Sequence, residues 1–347
     1  MAEADSMTGA ANPQNKELPH SGFVAVVGRP SCGKSSFLNT LCGHKVSIVS
    51  PVPQTTRDCI RAIHNEEDTH IVFIDTPGMH QSERTYNRKL SKIAYDSIAG
   101  ADAVLCLLDL SRDFGEEEKK VLGVLAEQEN ARVAAPFHPA PEGDAHTAPT
   151  NENAKAHPAS RIVIACNKAD LVSPAVIEKR TSDVLEVLGA YKPHAVYSIS
   201  AFNKDDVLRV AHCLGGLLPP GPRLYPEDYY TDQTQRHRIA EVIREKIFLN
   251  MREEIPHASC VLVEELRYIE ENERVRIGAV IYVESESQKR MVIGSHGRMI
   301  RELGISARID LEEIFGYSIN LFLRVEVRRA WRKDKIFLRL LERQYQG

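Results

Sequence analysis

Lys34 and Ser35 close the run Gly28-Arg29-Pro30-Ser31-Cys32-Gly33-Lys34-Ser35, and Asn167-Lys168-Ala169-Asp170 lies far downstream. Each stretch follows a short apolar run, Phe23 to Val27 and Ile162 to Ala165, so each falls where a buried strand delivers a loop. Gly28 and Gly33 permit backbone conformations closed to other residues, and successive N–H groups can then converge on phosphate oxygens. A helix opening near Gly33 adds its positive end. Lys34 would neutralise charge on the terminal phosphates, Ser35 would ligate magnesium (Mg2+), and Arg29, Pro30, Ser31, Cys32 and Ser36 complete the cradle.

The second stretch can choose the base. The Asp170 carboxylate can accept from guanine N1–H and N2–H2, where adenine offers no donor, and the Lys168 stem can lie along the ring. Asn167 belongs to the same loop. Ser200-Ala201, after the strand run Ala195 to Ile199, fits the loop that presents backbone N–H to guanine O6. Together these motifs imply binding of GTP and GDP.

Between them, Ile71 to Ile74 leads into Asp75-Thr76-Pro77-Gly78, followed by Met79. Alone this is an ordinary strand-ending turn. Downstream of a phosphate cradle, Asp75 reads as a magnesium holder acting through water, and the Gly78 N–H as a γ-phosphate sensor. A mobile switch is expected at Pro53-Gln54-Thr55-Thr56-Arg57-Asp58, where Thr56, or failing it Thr55, completes the metal shell. Lys34, Thr56 and Gly78 are therefore the expected catalytic groups, and Ser35, Thr56 and Asp75 the metal ligands.

These residues need a doubly wound α/β sheet to bring them together, and the chain from Gly22 to about Leu218 alternates accordingly. Strands are expected at Phe23–Val27, Ile71–Ile74, Ala103–Leu108, Ile162–Cys166 and Ala195–Ile199. Helices are expected at Lys34–Leu41, Glu83–Ile98, Glu116–Glu127, Pro174–Leu188 and Asp205–Cys213. Pro219-Pro220-Gly221-Pro222 reads as a stiff linker. Met1 to His20 is polar, without the apolar core of a signal peptide, and reads as a disordered tail. Residues 134–160, with five prolines and three histidines, read as an irregular insertion. The spacing of His138, His146 and His157 fits no trusted metal pattern.

With 347 residues about two domains are expected. A net charge of −4 excludes a uniformly basic nucleic-acid coat. Seven cysteines without a C-x-x-C pair suit a reducing compartment rather than disulfides or zinc. The run Val104 to Leu108 is too short to span a membrane.

The second domain is expected at 226–347, after a linker at 219–225. An amphipathic segment, Arg236 to Asn250, precedes strand candidates Cys260–Glu270 and Val275–Val283. Then Lys289-Arg290 leads into Ile293-Gly294-Ser295-His296-Gly297-Arg298, a G-x-x-G loop opening a helix that runs to about Phe315. Such a loop lets the backbone approach sugar-phosphate while a neighbouring groove takes single-stranded bases. From Ser285 to Arg343 there are 13 Lys/Arg against 8 Asp/Glu, a local +5, which leaves −9 for the remainder of a −4 chain. That segregation favours a phosphate-bearing partner.

From Gly22 to Arg343, apart from the insertion, the chain resembles the Era-type GTPases of bacteria. The marks are G-R-P-x-x-G-K-S at Gly28–Ser35, P-Q-T-T-R at Pro53–Arg57, D-T-P-G at Asp75–Gly78 and N-K-A-D at Asn167–Asp170. R-E-K-I-F at Arg244–Phe248, V-I-G-x-x-G at Val292–Gly297 and V-x-x-x-W at Val327–Trp331 extend it. The resemblance implies a P-loop GTPase doubly wound sheet followed by a C-terminal α+β type II KH domain. It also implies a cytoplasmic, monomeric factor that hydrolyses GTP, binds the 3′ end of small-subunit (16S) rRNA, assists 30S ribosomal subunit assembly and associates peripherally with the inner membrane. The implied RNA contacts are Lys289, Arg290, Ile293, Gly294, Ser295, His296, Gly297 and Arg298.

The chain departs from the family pattern at Ser31 and at Ser295-His296, and from Ras-like enzymes at Met79. Related GTPases place at Ser31 an asparagine that helps hold an activating potassium ion (K+), and serine offers a shorter side chain with one oxygen. Ser295-His296 lacks the lysine common in related loops. Met79 stands where a Ras-like enzyme carries a water-orienting glutamine, so slow turnover resting on magnesium, Lys34 and backbone donors is expected. The alternative is an RNA-binding module whose nucleotide site is structural.

Overall fold

Continuous apolar runs bounded by turns become strands buried on both faces, and they set the architecture of the first unit. The computed structural model describes residues 18–49, 60–75, 97–134, 160–252, 254–270 and 273–346. The first unit comprises β1 (His20–Gly28), α1 (Lys34–Cys42), β2 (Ile60–Asn65), β3 (Thr69–Asp75) and β4 (Ala103–Asp109). It continues with α2 (Glu116–Ala134), β5 (Ile162–Asn167), α3 (Pro174–Leu188), β6 (Ala195–Ser198) and α4 (Lys204–Gly215). The sheet order is β2-β3-β1-β4-β5-β6, parallel except for β2, which runs antiparallel to β3.

The register delivers the site. Val26 pairs with Asp75, Gly28 with Leu107, and Asp109 with Asn167, so the loops after β1, β3 and β5 emerge along one sheet edge. Two apolar layers sandwich the sheet. One includes Val24, Val26, Phe37 and Phe73, and the other includes Ala25, Val27, Leu122 and Ile164.

The structure moves several expected boundaries. His20 is the first residue of β1, not the last of a tail, because its N–H is drawn to Asp68 O (2.8 Å). Helix α2 continues to Ala134 rather than stopping at Glu127. The proline linker docks on the first unit: Ser21 N–H donates to Pro219 O and Gly221 N–H to Pro19 O, both at 2.9 Å. The expected switch at 53–58, most of the helix expected at Glu83–Ile98, and residues 135–159 of the insertion with its three histidines lie outside the described residues.

The second unit comprises α5 (Gln235–Asn250), α6 (Ile255–Ala258), β7 (Cys260–Ile269), β8 (Arg274–Val283), α7 (Glu286–Ile293), α8 (Arg298–Phe315), β9 (Ser318–Val327) and α9 (Lys335–Gln346). Thr234 caps α5 by accepting from His237 N–H, and Ser285 caps α7 by accepting from Gln288 N–H. The sheet order is β7-β8-β9, with β8 and β9 parallel. Helices α5, α7 and α8 cover one face. Helix α9, which the sequence reading did not anticipate, packs Phe337 and Leu341 against Trp331, Val280 and Tyr282 on the other. Trp331, the last residue of the V-x-x-x-W mark, is buried and donates from Nε1 to Ala258 O (2.9 Å), so it pins the core.

His70 in β3 is fully buried, with Nδ1 2.5 Å from Asn65 Oδ1. Burial, then the charge of Arg223, pull its pKa from 6.5 down to about 4. The folded state therefore prefers the neutral ring. Its stability contribution is complete above pH 6.5 and is lost as pH falls from 6.5 towards 4. We expect thermal unfolding to show a loss of at most about 3 kcal/mol across that window, and His70→Gln to flatten it. An identical pH profile in the variant would remove His70 as the cause.

Candidate nucleotide site and nucleic-acid interface

The phosphate loop is shaped by close backbone contacts. Gly28 has φ 149°, and a Cβ there would stand 2.4 Å from Leu107 O. Gly33 has φ 102°, and a Cβ there would stand 2.1 Å from Asn167 Nδ2. Ser31, between them, also takes a left-handed φ of 64°. Arg29 and Pro30 form the half-buried turn out of β1, and Ser36 sits half-buried in the first turn of α1. Cys32 is buried, which pushes its thiol up and makes it an inert packing group rather than a nucleophile.

Lys34 is 6% exposed, and its ammonium donates to Gly28 O (3.1 Å) and Arg29 O (2.9 Å). The carbonyls that orient it are themselves held, because the Arg29 guanidinium pairs with Glu117 (2.5 Å) and Glu118 at the start of α2. These acids were not in the sequence reading. Their chain distance from Arg29 left no local signal.

Asp75 ends β3 completely buried. Its Oδ2 accepts from Ser35 Oγ (3.2 Å) and Ser47 Oγ (3.0 Å), while Oδ1 has no partner among the described residues. Burial raises the Asp75 pKa, and Lys34 with the two hydroxyls only partly offsets this. A buried carboxylate with one orphaned oxygen beside a helix-start serine is a donor set that fits a divalent oxygen-seeking cation. Thr55, Thr56, Thr76, Pro77, Gly78 and Met79 lie outside the described residues.

Asn167 joins three loops. Its Nδ2 donates to Cys32 O and its Oδ1 accepts from Ala201 N–H, both at 2.8 Å. Lys168, with φ 67°, donates to Asp109 Oδ2 (2.6 Å). That hydrogen bond helps hold the Asp109 carboxyl below the ordinary range, although burial pushes the other way. Asp170 is exposed in the turn Ala169–Leu171. Ser200 N–H donates to Asp206 Oδ2 (2.9 Å). The backbone N–H groups of Ser200 and Ala201, the dipeptide that the sequence reading aimed at guanine O6, thus both have internal partners.

In the second unit, Gly294 (φ 71°) makes a tight crossing where a Cβ would stand 2.6 Å from Met299 Cβ. Gly297 (φ 75°) faces open space, with nothing among the described residues within 4 Å of an added Cβ. The loop between them, Ser295–Gly297, exposes Ser295 and His296. Ile293 packs inward, Lys289 is half-buried, Arg290 is exposed, and Arg298 is exposed but paired with Glu302 (2.9 Å). Beside this loop a cleft of about 280 Å³ runs between α8 and β9, lined by Ile300, Arg301, Gly304, Ile305, Arg308, Leu321 and Leu323. These groove residues were missed; alternation along β9 and the Gly304 gap in α8 were the available signals.

The two units meet at the segment after α1. Lys45 pairs with Glu245 of α5 and with Asp310 of α8 (2.7 Å), and Val49 N–H donates to Glu245 Oε1 (2.9 Å). Burial lowers the Lys45 pKa, but hydrogen bonds to Asp310 and Glu245 outweigh it, so the ammonium stays above its ordinary value. Ser47, two residues on, is the residue that contacts Asp75.

Comparison with known proteins agrees with this geometry. Residues 23–135 match the model of the 50S ribosome-binding GTPase family, and residues 254–332 match the KH domain model. The chain is 42% identical over 323 residues to the GTPase Era of Treponema denticola, covering 92% of this chain and 99% of that protein. It superimposes on a crystal structure of an Aquifex aeolicus Era variant bound to GDP.AlF4−, with TM-score 0.77, 27% identity and coverage of 92% and 98%. It also superimposes on Era in complex with MgGDPNP and nucleotides 1506–1542 of 16S ribosomal RNA, with TM-score 0.77, 28% identity and coverage of 93% and 98%. The 42% identity over 92% of the chain, with both the GTPase and the KH models matched, places this protein in the Era family of GTPases.

Proposed function

We propose that this GTPase is a slow switch that binds the 3′ end of 16S rRNA through its KH groove and assists 30S subunit assembly. The observation that carries it is the open Gly297 backbone at the mouth of a cleft lined by Arg301, Arg308 and aliphatic side chains. The related Era structure holding a 16S rRNA fragment supports the same partner. Lys289, Arg290 and Arg298 would meet phosphates, and Ile293 would back the loop. In the nucleotide site Gly28 to Ser36 would cradle phosphates, Asn167, Lys168 and Asp170 would read the base, and Ser35, Asp75 and Thr56 would hold Mg2+. When bound, that ion neutralises charge on the phosphates. Ser31 Oγ, buried without a partner among the described residues, is the side-chain oxygen that would face a K+ ion where related GTPases place asparagine.

Coupling between the units would run through residues 45–49, because Ser47 touches Asp75 while Lys45 and Val49 hold α5 and α8. The protein would act as a monomer in the cytoplasm. Peripheral contact with the inner membrane would use α9, where Ile336 and Leu340 are exposed beside Lys335 and Arg339.

The test is binding of a short 16S 3′-end RNA, with a scrambled control, in GTP-analogue and GDP states. Selective, tighter binding with the GTP analogue is expected, and Lys45→Ala is expected to shrink the difference between states. Equal binding in both states would demote the nucleotide site to a structural element. No selective binding in either state would remove the rRNA reading.

A further inference from the structure

The outer face of the C-terminal sheet carries an exposed aromatic ring among arginines that the groove does not use. Register aligns Glu265 with Gly278 and Phe322, and Arg267 with Arg276 and Asn320. Side chains alternate across a strand, so these residues share a face opposite to Leu266, Ile277 and Leu321. Helix α9 and Trp331 cover only the end of that face formed by Leu262, Val280 and Tyr282. Phe322 remains 53% exposed, and Gly278 beside it has no side chain to cover the ring.

The arginines are arranged around that ring. The Arg276 guanidinium lies over it, 4.7 Å from the centroid, and Glu265 holds Arg276 from the side at 3.2 Å. Arg324 is held by Glu264 (2.5 Å) and Glu326 (2.9 Å). Arg267 and Arg274 are also exposed, and β9 runs on into Arg328 and Arg329. An apolar protein partner would find one ring ringed by charge. A nucleic-acid strand would find a π-face for a base and guanidinium groups for its phosphates.

We propose that this face is a second contact for single-stranded RNA, taking the part of the strand that leaves the KH groove. The inference rests on reading that groove as an RNA site. Continuity argues for it: Leu321 and Leu323 line the groove, and Phe322 between them faces the other way on the same edge strand. RNA leaving the groove needs to pass only around β9. A base would stack on the face of Phe322 that Arg276 leaves open, with Arg267, Arg274 and Arg324 meeting phosphates.

The test compares two 16S 3′-end RNAs on the full chain with a GTP analogue: one of roughly four nucleotides, enough to fill a KH groove, and one about three times longer. Phe322→Ala is expected to weaken the longer RNA by about tenfold and leave the shorter one unchanged. Phe322→Trp, which keeps a stacking face, is expected to retain affinity and to change fluorescence only with the longer RNA. Unchanged affinity of Phe322→Ala for the longer strand, or an equal loss for both lengths, overturns the proposal. If the native chain binds neither RNA, the groove reading fails and takes this one with it.

Discussion

Asp170→Asn should exchange guanine for xanthine specificity. Asp170 is an exposed carboxylate in a turn whose position is set by Lys168 on Asp109 and by Asn167 on two neighbouring loops. Guanine presents two donors to it, and asparagine offers one acceptor and one donor. The mutant amide N–H₂ would face the guanine amino group with no bond between them, which costs far more than a lost methylene. GTP affinity should fall by about 10²–10⁴-fold. Xanthine carries a carbonyl where guanine has its amino group, so XTP should become the preferred nucleotide. Equilibrium titration with GTP, XTP and ATP decides the matter, and an unchanged GTP preference would show that the base is read elsewhere. Folding should be untouched, because the side chain is exposed.

The second large effect is expected at Asp75, and it has opposite signs for stability and activity. A fully buried carboxylate with one oxygen unpartnered among the described residues destabilises the folded chain. Because its folded-state pKa lies above that of a free carboxylate, this group favours folding at acid pH, and that contribution is lost as pH rises through the raised value. Asp75→Asn removes the charge and keeps the shape. The metal-free protein should therefore gain about 1–3 kcal/mol at neutral pH, while magnesium-dependent hydrolysis falls by at least about 10²-fold. Thermal unfolding with and without Mg2+, paired with single-turnover hydrolysis, checks both halves. A variant that is less stable and still active would remove Asp75 from the metal site.

The same two residues show what can be read locally. Their motifs are short and lie at the ends of apolar runs, so strand, loop and chemistry follow from a few neighbouring residues. Strands β4 and β5 were legible as unbroken buried runs, and the start of α1 from the glycine before it. The G-x-x-G loop was legible for the same reason, since glycine supplies the positive φ that the loop takes at both ends.

Other features depend on residues that meet only after folding. Glu118 reaches Arg29 across 89 positions, and Lys45 reaches Glu245 across 200. A lysine, a glutamate or a serine such as Ser47 carries no sign of its partner. Helix α2 outran its expected end because its last turns follow a polar stretch with weak periodicity. Trp331 was legible only as the end of the V-x-x-x-W mark, because the core it fills comes from α6, β8 and α9.

The sequence alone therefore determined which chemistry this chain carries, a phosphate cradle, a guanine reader and a G-x-x-G loop, because each is encoded within a few residues by backbone freedom and donor pattern. Only the tertiary structure decided what those parts lean on. The Asn167 tie between loops, the Ser47 contact to Asp75, the Lys45 clamp on α5 and α8, and the two faces of β9 all arise from sheet register and domain packing, which bring together residues that no local spacing relates.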